Sequence, residues 1–412
     1  MPQHDTWTSV AHHDRPVWTA RQQRCVITAR VGSPVARRRS ALRRAIVLTV
    51  ATTLASACHR KEPEPAIEGT VSIGVGAIPG RPGYESMVRG LQMAVERLNE
   101  TGKGKFKLRL PERSSTSAVQ VAQTLREDPT VIGVVGHPES GNTIEALPVY
   151  ADAEHLGRNA VVAISPTASS PRLSGISPWF FRVAPSDNDA ARFVARWVRD
   201  SLGARRAAVI YRNDSYGRDW STTFTESFAT AGAVVVSRDP YLTGLSEWDA
   251  YAQLLAKLKP DVLLFPGDAA DAVQMLRALN TAKVTLAFIG GDGTEGMRDS
   301  AEAQGAHYVS FFRADLVETE EGRTFVRRYT ERFHQQPDMF GAMSYDAALA
   351  IGKTVLGGAR TRAAVRRALE HLGSDGTTAV EGVAGRIRFD KNHDIAGRSV
   401  VVTTVGDVRG AN

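Results

Sequence analysis

The sequence predicts an α/β fold made of two Rossmann-like three-layer lobes with parallel sheets. Three observations carry this. Short apolar segments alternate with helical patterns, which argues for a parallel sheet covered by helices on both faces. The alternation restarts near residue 187. The last ninety or so residues hold helices and strands that form no lobe of their own, so the chain crosses back between the lobes.

In the first lobe, Val71-Ser-Ile-Gly-Val75 reads as a strand. A helix over 86–99 follows, with Leu91, Ala94, Val95 and Leu98 on one face. Phe106–Leu110 reads as a half-buried strand and 117–127 as a helix that stops before Pro129. Val131–Val135 and Ala160–Ile164 are further strands, separated by a helical stretch to about 155. In the second lobe, helix 189–202 precedes strand 207–211 and helix 219–231. Strands 233–236, 261–265 and 284–289 alternate with helices 248–258 and 270–279. Helices over 320–334, 345–357 and 361–372 come next. Gly382–Phe389 and Ser399–Thr403 then read as an antiparallel pair.

The chain has 412 residues and a formal charge of +7. Residues 1–57 carry nine arginines, no lysine and only two acids, so they hold the whole excess and the other 355 residues are formally neutral. A basic chain invites a nucleic-acid reading. Here the charge is confined to one end, and no basic stripe with interleaved aromatics occurs, so no nucleic-acid partner is expected.

That end reads as an address. Arg37-Arg-Arg-Ser-Ala-Leu-Arg-Arg44 precedes a thirteen-residue apolar run, Ala45–Ala57, with small residues at its close. A basic segment, a short apolar core and a small-residue site describe a secretory signal, and the run is shorter than the roughly 20 residues a spanning helix needs. Residues 1–57 are therefore expected to be a signal sequence with an extended n-region. Leu54-Ala-Ser-Ala-Cys58 resembles the bacterial lipobox, which implies cleavage before Cys58, its lipidation, and anchoring to a membrane. Residues 58–69 read as a lipidated tether. The expected location is the periplasm or cell envelope.

Enzyme motifs fail. Gly74-Val-Gly-Ala-Ile-Pro-Gly80 is GxGxxxG, and Pro79 removes an amide donor, so a dinucleotide site is disfavoured. Gly352-Lys-Thr354 resembles a phosphate-loop fragment, but Ala347 stands where that loop needs glycine. There is no GxSxG elbow or HExxH, and the histidines after residue 57 show no metal spacing, so no cofactor or metal is expected.

Small polar loops after successive strands remain, and such places bind ligands in α/β sheets. Gly136–Thr143 offers Ser140 and a helix start suited to a carboxylate; Ser140 or Thr143 would equally serve as a plain N-cap. Ile164–Pro171 offers hydroxyls and amides. Asn213–Gly217 brings Tyr216. Ile289–Gly293 brings Asp292, which suits either an ammonium group or a simple turn.

At these loops the sequence resembles the type I periplasmic binding proteins, in the leucine/isoleucine/valine-binding branch of ABC transporter receptors. The resemblance runs over residues 70–405. Its stretches include Gly90–Asn99, Val134–His137 with Ser140 and Thr143, Ile164–Leu173, Phe181–Val183 and Val209–Tyr211 with Tyr216 and Gly217. It continues through Phe288–Gly293, Ser344–Ala348 and Gly385–Asp390. It implies a non-enzymatic, two-lobed binding protein with three crossover strands, placed near 184–190, 308–316 and 378–385. The first lobe then comprises 70–185 and 313–380, the second 186–312 and 381–412. It further implies a small zwitterion in the cleft, an amino acid of branched-chain or polar type, with delivery to ABC permease subunits. By this resemblance Ser140 binds the α-carboxylate, Ala168 and Ser169 share the carboxylate and ammonium contacts, Tyr216 covers the ligand and Asp292 pairs with the ammonium. Tyr84 is expected as a lid. Asp268 departs from the pattern: with Glu139 it would bring another carboxylate to the cleft and disfavour a plain aliphatic side chain. The alternative function on the same fold is a ligand sensor coupled to a signalling partner.

Overall fold

The computed structural model describes residues 66–406, apart from 102–104, 245–246, 375–376 and 378. The expected signal sequence, Cys58 and the tether up to residue 65 lie outside the described residues.

The first sheet is built from β1 (Thr70–Gly76), β2 (Lys105–Arg109), β3 (Val131–Gly136), β4 (Ala163–Ser165) and β5 (Phe180–Arg182). Its order is β2-β1-β3-β4-β5, parallel throughout. All six residues of β3 are buried, as are all of β1 after Thr70. Such strands need apolar or small residues on both faces, and their sequences supply them. Between them run α1 (Tyr84–Asn99), α2 (Ala118–Glu127) and α3 (Ser140–Tyr150).

α4 (Asp187–Ser201) leads into the second sheet, whose members are β6 (Arg206–Arg212), β7 (Val234–Tyr241), β8 (Val262–Phe265), β9 (Ala287–Gly290), β10 (His307–Ser310) and β13 (Val401–Thr404). The order is β13-β10-β9-β8-β6-β7. Only the β13–β10 pairing is antiparallel. α5 (Ser215–Thr230), α6 (Trp248–Leu258) and α7 (Ala269–Thr281) connect its strands.

The chain then returns to the first lobe with α8 (Glu320–Phe333), α9 (Met339–Leu356) and α10 (Arg362–Glu370). α9 is buried almost all round and packs on α1. Their backbones meet at Gly90, where a Cβ would stand 2.0 Å from the Gly341 carbonyl oxygen. No larger residue fits that crossing.

The C-terminal strands pair differently from the sequence reading. Gly382–Phe389 does not pair with Ser399–Thr403. Instead β11 (Val380–Gly382) folds back on β12 (Gly385–Ile387), and β13 joins the second sheet beside β10. Residues 381–395 also stay with the first lobe. β11 packs on α9, and Asp394 accepts a 2.6 Å bond from Nε of the fully buried Arg182 on β5. That guanidinium also donates to the Ser170 carbonyl and the Ser174 hydroxyl, so its charge and donors are matched in place. The third passage between sheets therefore lies between Ile395 and Val401, later than 378–385.

Among the described residues no helix is long and apolar enough to cross a membrane, and no cluster of His, Cys, Asp or Glu could hold a metal ion.

Candidate functional site

A cleft of about 350 Å³ opens at the carboxyl ends of both sheets. The first lobe supplies the β3–α3 loop, Thr167 and Ser169 after β4, Arg81 and Pro82 after β1, and Met339 and Phe340 at the start of α9. The second supplies Arg212 at the end of β6, Asp214 and Tyr216 after it, Thr243 after β7, Asp268 after β8, and Asp292 with Gly293 after β9.

On the first-lobe wall, α3 begins without a side-chain cap. Ser140, Gly141 and Asn142 line the cleft there, and the space over Gly141 is open. Uncapped amides at a helix start carry partial positive charge and free donors, which suits an anion. The Ser140 hydroxyl accepts from the Ser170 amide at 3.1 Å, leaving its own proton free to donate. Ser169 lines the same wall; its hydroxyl is buried and has no partner. Thr143 does not share this role, because its hydroxyl is bound to the carbonyls of His137 and Glu139, both at 2.9 Å. Ser165 and Thr167 lace the two loops together through the carbonyls of His137 and Pro138. His137 is fully buried, and burial pushes its pKa down to about 3, so it is neutral and structural.

On the opposite wall, Asp292 accepts from the Tyr216 hydroxyl at 2.9 Å and from the Trp220 indole at 3.2 Å. Burial nonetheless pushes its carboxyl up to about 6. The Tyr216 hydroxyl also accepts from the Gly293 amide at 3.2 Å. A side chain at Gly291 would collide with it, a Cβ there lying 2.3 Å from the hydroxyl.

Five of the residues expected at the site, Ser140, Ser169, Tyr216, Asp268 and Asp292, line this one cleft. Glu139 also lines it and accepts from the Asn142 amide at 3.0 Å. Two expected residues do not. Ala168 packs its methyl among Leu147, Leu173 and Phe180, and its amide is spent on Ser165 Oγ at 2.9 Å. Tyr84 begins α1 and packs against the core, with Glu85 and Arg113 as its charged neighbours. Arg81, Pro82 and Phe340 line the cleft on this lobe, and Tyr84 does not.

Asp268 is in the cleft but does not offer a free carboxylate. It caps α7 through the Asp271 amide at 3.0 Å, and its other oxygen faces Arg212 at 3.5 Å.

Sequence reasoning missed Asp187, Arg212, Arg81 and the Met339–Phe340 edge. Asp187, at the start of α4, is fully buried, and neither carboxylate oxygen has a hydrogen-bond partner. Its amide donates to the Ser169 carbonyl at 2.8 Å, which sets it behind the cleft wall. Burial, then the charge of Asp292, holds its carboxyl well above the ordinary range. Its position just after the Ser186 cap at a lobe crossing was the available signal.

A family profile described as periplasmic binding protein matches residues 79–409. An amino acid binding protein of Pseudomonas aeruginosa is 25% identical over 330 residues, covering 77% of this chain and 84% of that protein. Among solved structures, the substrate-binding protein LivJ of Streptococcus pneumoniae, in complex with isoleucine, superposes with a TM-score of 0.73 at 21% identity, covering 81% of this chain and 96% of its own. The leucine-binding protein LivK of Thermotoga maritima gives 0.72 at 18% identity, covering 82% and 96%. The profile spans most of the chain and the architecture agrees with these structures: the chain belongs to the periplasmic binding protein family, with its two-lobed type I fold.

Proposed function

We propose that the protein is an extracytoplasmic solute receptor that binds an amino acid in the interlobe cleft and delivers it to an ABC permease. It works without catalysis, by lobe closure on the ligand, the closed form being the one the permease engages. One observation carries the reading. The uncapped start of α3, with Ser140 and Ser169, faces the same cleft as the buried acid Asp292. Donors for a carboxylate and an acid for an ammonium are what a zwitterion requires. The amino-acid-binding relatives support the same class. In this reading Tyr216 is a second-lobe wall that orders Asp292 and covers the ligand.

We also propose that Cys58 is the lipidated first residue of the mature protein, with 58–69 as a tether to the membrane. The motif Leu54–Cys58 after a basic and apolar segment supports this.

The deciding experiment is a thermal-shift screen of amino acids, small peptides, aromatic acids and amides, followed by calorimetry. A ligand that binds the native state raises its melting temperature. A free amino acid should do so; a response only to ligands lacking either the carboxylate or the ammonium would sink the assignment.

A further inference from the structure

The amino-acid anchors leave one part of the cleft unexplained. Arg212, the last residue of β6, lines it and is held on three sides. Its Nε donates to Asp214 at 2.6 Å, one terminal nitrogen faces Asp268 at 3.5 Å, and the guanidinium lies 5.6 Å from the Tyr216 ring centroid. Both aspartates are already committed. Asp214 caps α5 through the Gly217 amide at 2.9 Å, as Asp268 caps α7. Their charge is offset by the positive helix starts and by Arg212 itself. A guanidinium has five N–H donors, and these contacts use two. The rest belong to a side chain that is 24% exposed, on the cleft wall.

Arg81 lines the same cleft from the first lobe; it is exposed, and its backbone bonds to Ile78 and Tyr84 while its guanidinium has no hydrogen bond or ion pair among the described residues. Glu139, the acid on that side, is held by Asn142 beside the α3 start. Two arginines from opposite lobes therefore line one small cleft, one of them with its guanidinium fixed beforehand. A planar donor fork fixed in place suits a carboxylate and costs little to order on binding. An aliphatic side chain would strip water from these donors and leave them unpaired.

We propose that Arg212 and Arg81 form the side-chain subsite of the cleft and that this subsite takes a carboxylate. The ligand is then an acidic amino acid, of the glutamate or aspartate type. The inference rests on the amino-acid reading above and narrows it. It keeps the bias against a plain aliphatic side chain expected from Asp268, but assigns it to the arginines, since the charge of Asp268 is spent inside the protein.

The test is calorimetric titration of the intact protein with glutamate, aspartate, leucine and arginine. Glutamate or aspartate should bind at least about tenfold more tightly than leucine, the scale of one charge-assisted contact. Arg81→Gln, at an exposed position whose backbone bonds the substitution leaves in place, should keep the melting temperature and reduce that preference. Arg212→Lys should keep the charge, lose the fork and reduce it further. Tighter binding of leucine or arginine would overturn the carboxylate subsite and leave the amino-acid reading standing. So would an acidic preference that survives in Arg81→Gln. If no amino acid binds, the proposed function falls and this inference falls with it. Should Arg212→Lys fail to fold, Arg81→Gln still decides.

Discussion

The buried carboxylates of Asp187 and Asp292 lie close enough to repel, and only that of Asp292 is hydrogen-bonded. One sits at the start of the crossing helix α4, the other after β9 in the second lobe. Burial makes the charged form of each costly, and each charge makes the other costlier. The pair therefore sheds its protons in steps, and the first charge settles on Asp292, where Tyr216 and Trp220 donate to it. A cation placed at Asp292 would relieve this directly. Ligand affinity and protein stability are both expected to report on it.

Affinity should depend on pH through Asp292. Burial pushes its carboxyl up to about 6, and ammonium binding needs it ionised. Calorimetry should show affinity constant above about pH 7 and falling by up to about tenfold per unit below pH 6. Asp187 and Arg212 also act on this group and shift the midpoint in opposite senses. Asp292→Asn should weaken binding by roughly 2–5 kcal/mol, the cost of removing one partner of a buried charge pair, and should flatten the pH profile. Tyr84→Ala, outside the cleft, should leave affinity unchanged. A pH profile that persists in Asp292→Asn would place the ammonium elsewhere.

Stability should respond to the same pair with the opposite pH sense. Both carboxyls titrate above their ordinary range in the folded protein. The folded state therefore holds its protons longer than the unfolded chain does. The advantage is complete below the unfolded value near 3.8 and is lost as pH rises through the folded values, about 6 for Asp292. Asp187→Asn removes a buried charge that the Ser169 hydroxyl and Arg182 offset only in part. Its melting temperature should exceed that of the parent at pH 8, and the two should converge toward pH 4. A lower melting temperature at pH 8 would mean that Asp187 carries a stabilising charge.

The parts of the fold legible in the sequence were those whose signal is local. β1 and β3 are continuous apolar runs because both faces are buried, whereas the helices read from 189, 219 and 270 begin one to four residues earlier, where Ser186, Asp214 and Asp268 cap them. β5 and β10 went unread as strands, because both lie at passages between the lobes, where no helix pattern brackets them. The site divided the same way. Ser140, Tyr216 and Asp292 follow strands and were found by that position. Ala168 failed because whether a loop residue turns inward depends on Phe180 and Leu147, which lie elsewhere in the chain. Phe340 and Asp187 reach the site region only through the lobe crossings, which local pattern does not reveal.

The crossing of α1 and α9 should tolerate no side chain at Gly90. A Cβ there would meet the Gly341 carbonyl oxygen at 2.0 Å, and backbone cannot move aside as a flexible side chain can. Gly90→Ala is favourable for helix propensity by roughly 1 kcal/mol. Overpacking against backbone costs more, typically about 1–3 kcal/mol and sometimes beyond. Chemical denaturation should show net destabilisation. A neutral or stabilising result would mean that the helices separate freely, and the tight α1–α9 seam would not be a fixed part of the first lobe.

The third passage between the lobes is held by a buried ion pair. Asp346 on α9 accepts from the Val383 amide at 2.6 Å, from Ala384 at 3.3 Å and from Arg398 at 3.0 Å, and both side chains are essentially inaccessible. Gly382 passes so close that a Cβ would stand 2.4 Å from the carboxylate. The pair ties a first-lobe helix to the segment that continues into β13 of the second sheet. Breaking one partner leaves an uncompensated buried charge, at a cost of about 3–5 kcal/mol. Arg398→Met should therefore lower the melting temperature markedly. Arg398→Met with Asp346→Asn should recover part of the loss, since the asparagine keeps one acceptor for the Val383 amide and carries no charge. If the double variant is as unstable as the single one, the guanidinium acts through packing and not through its charge.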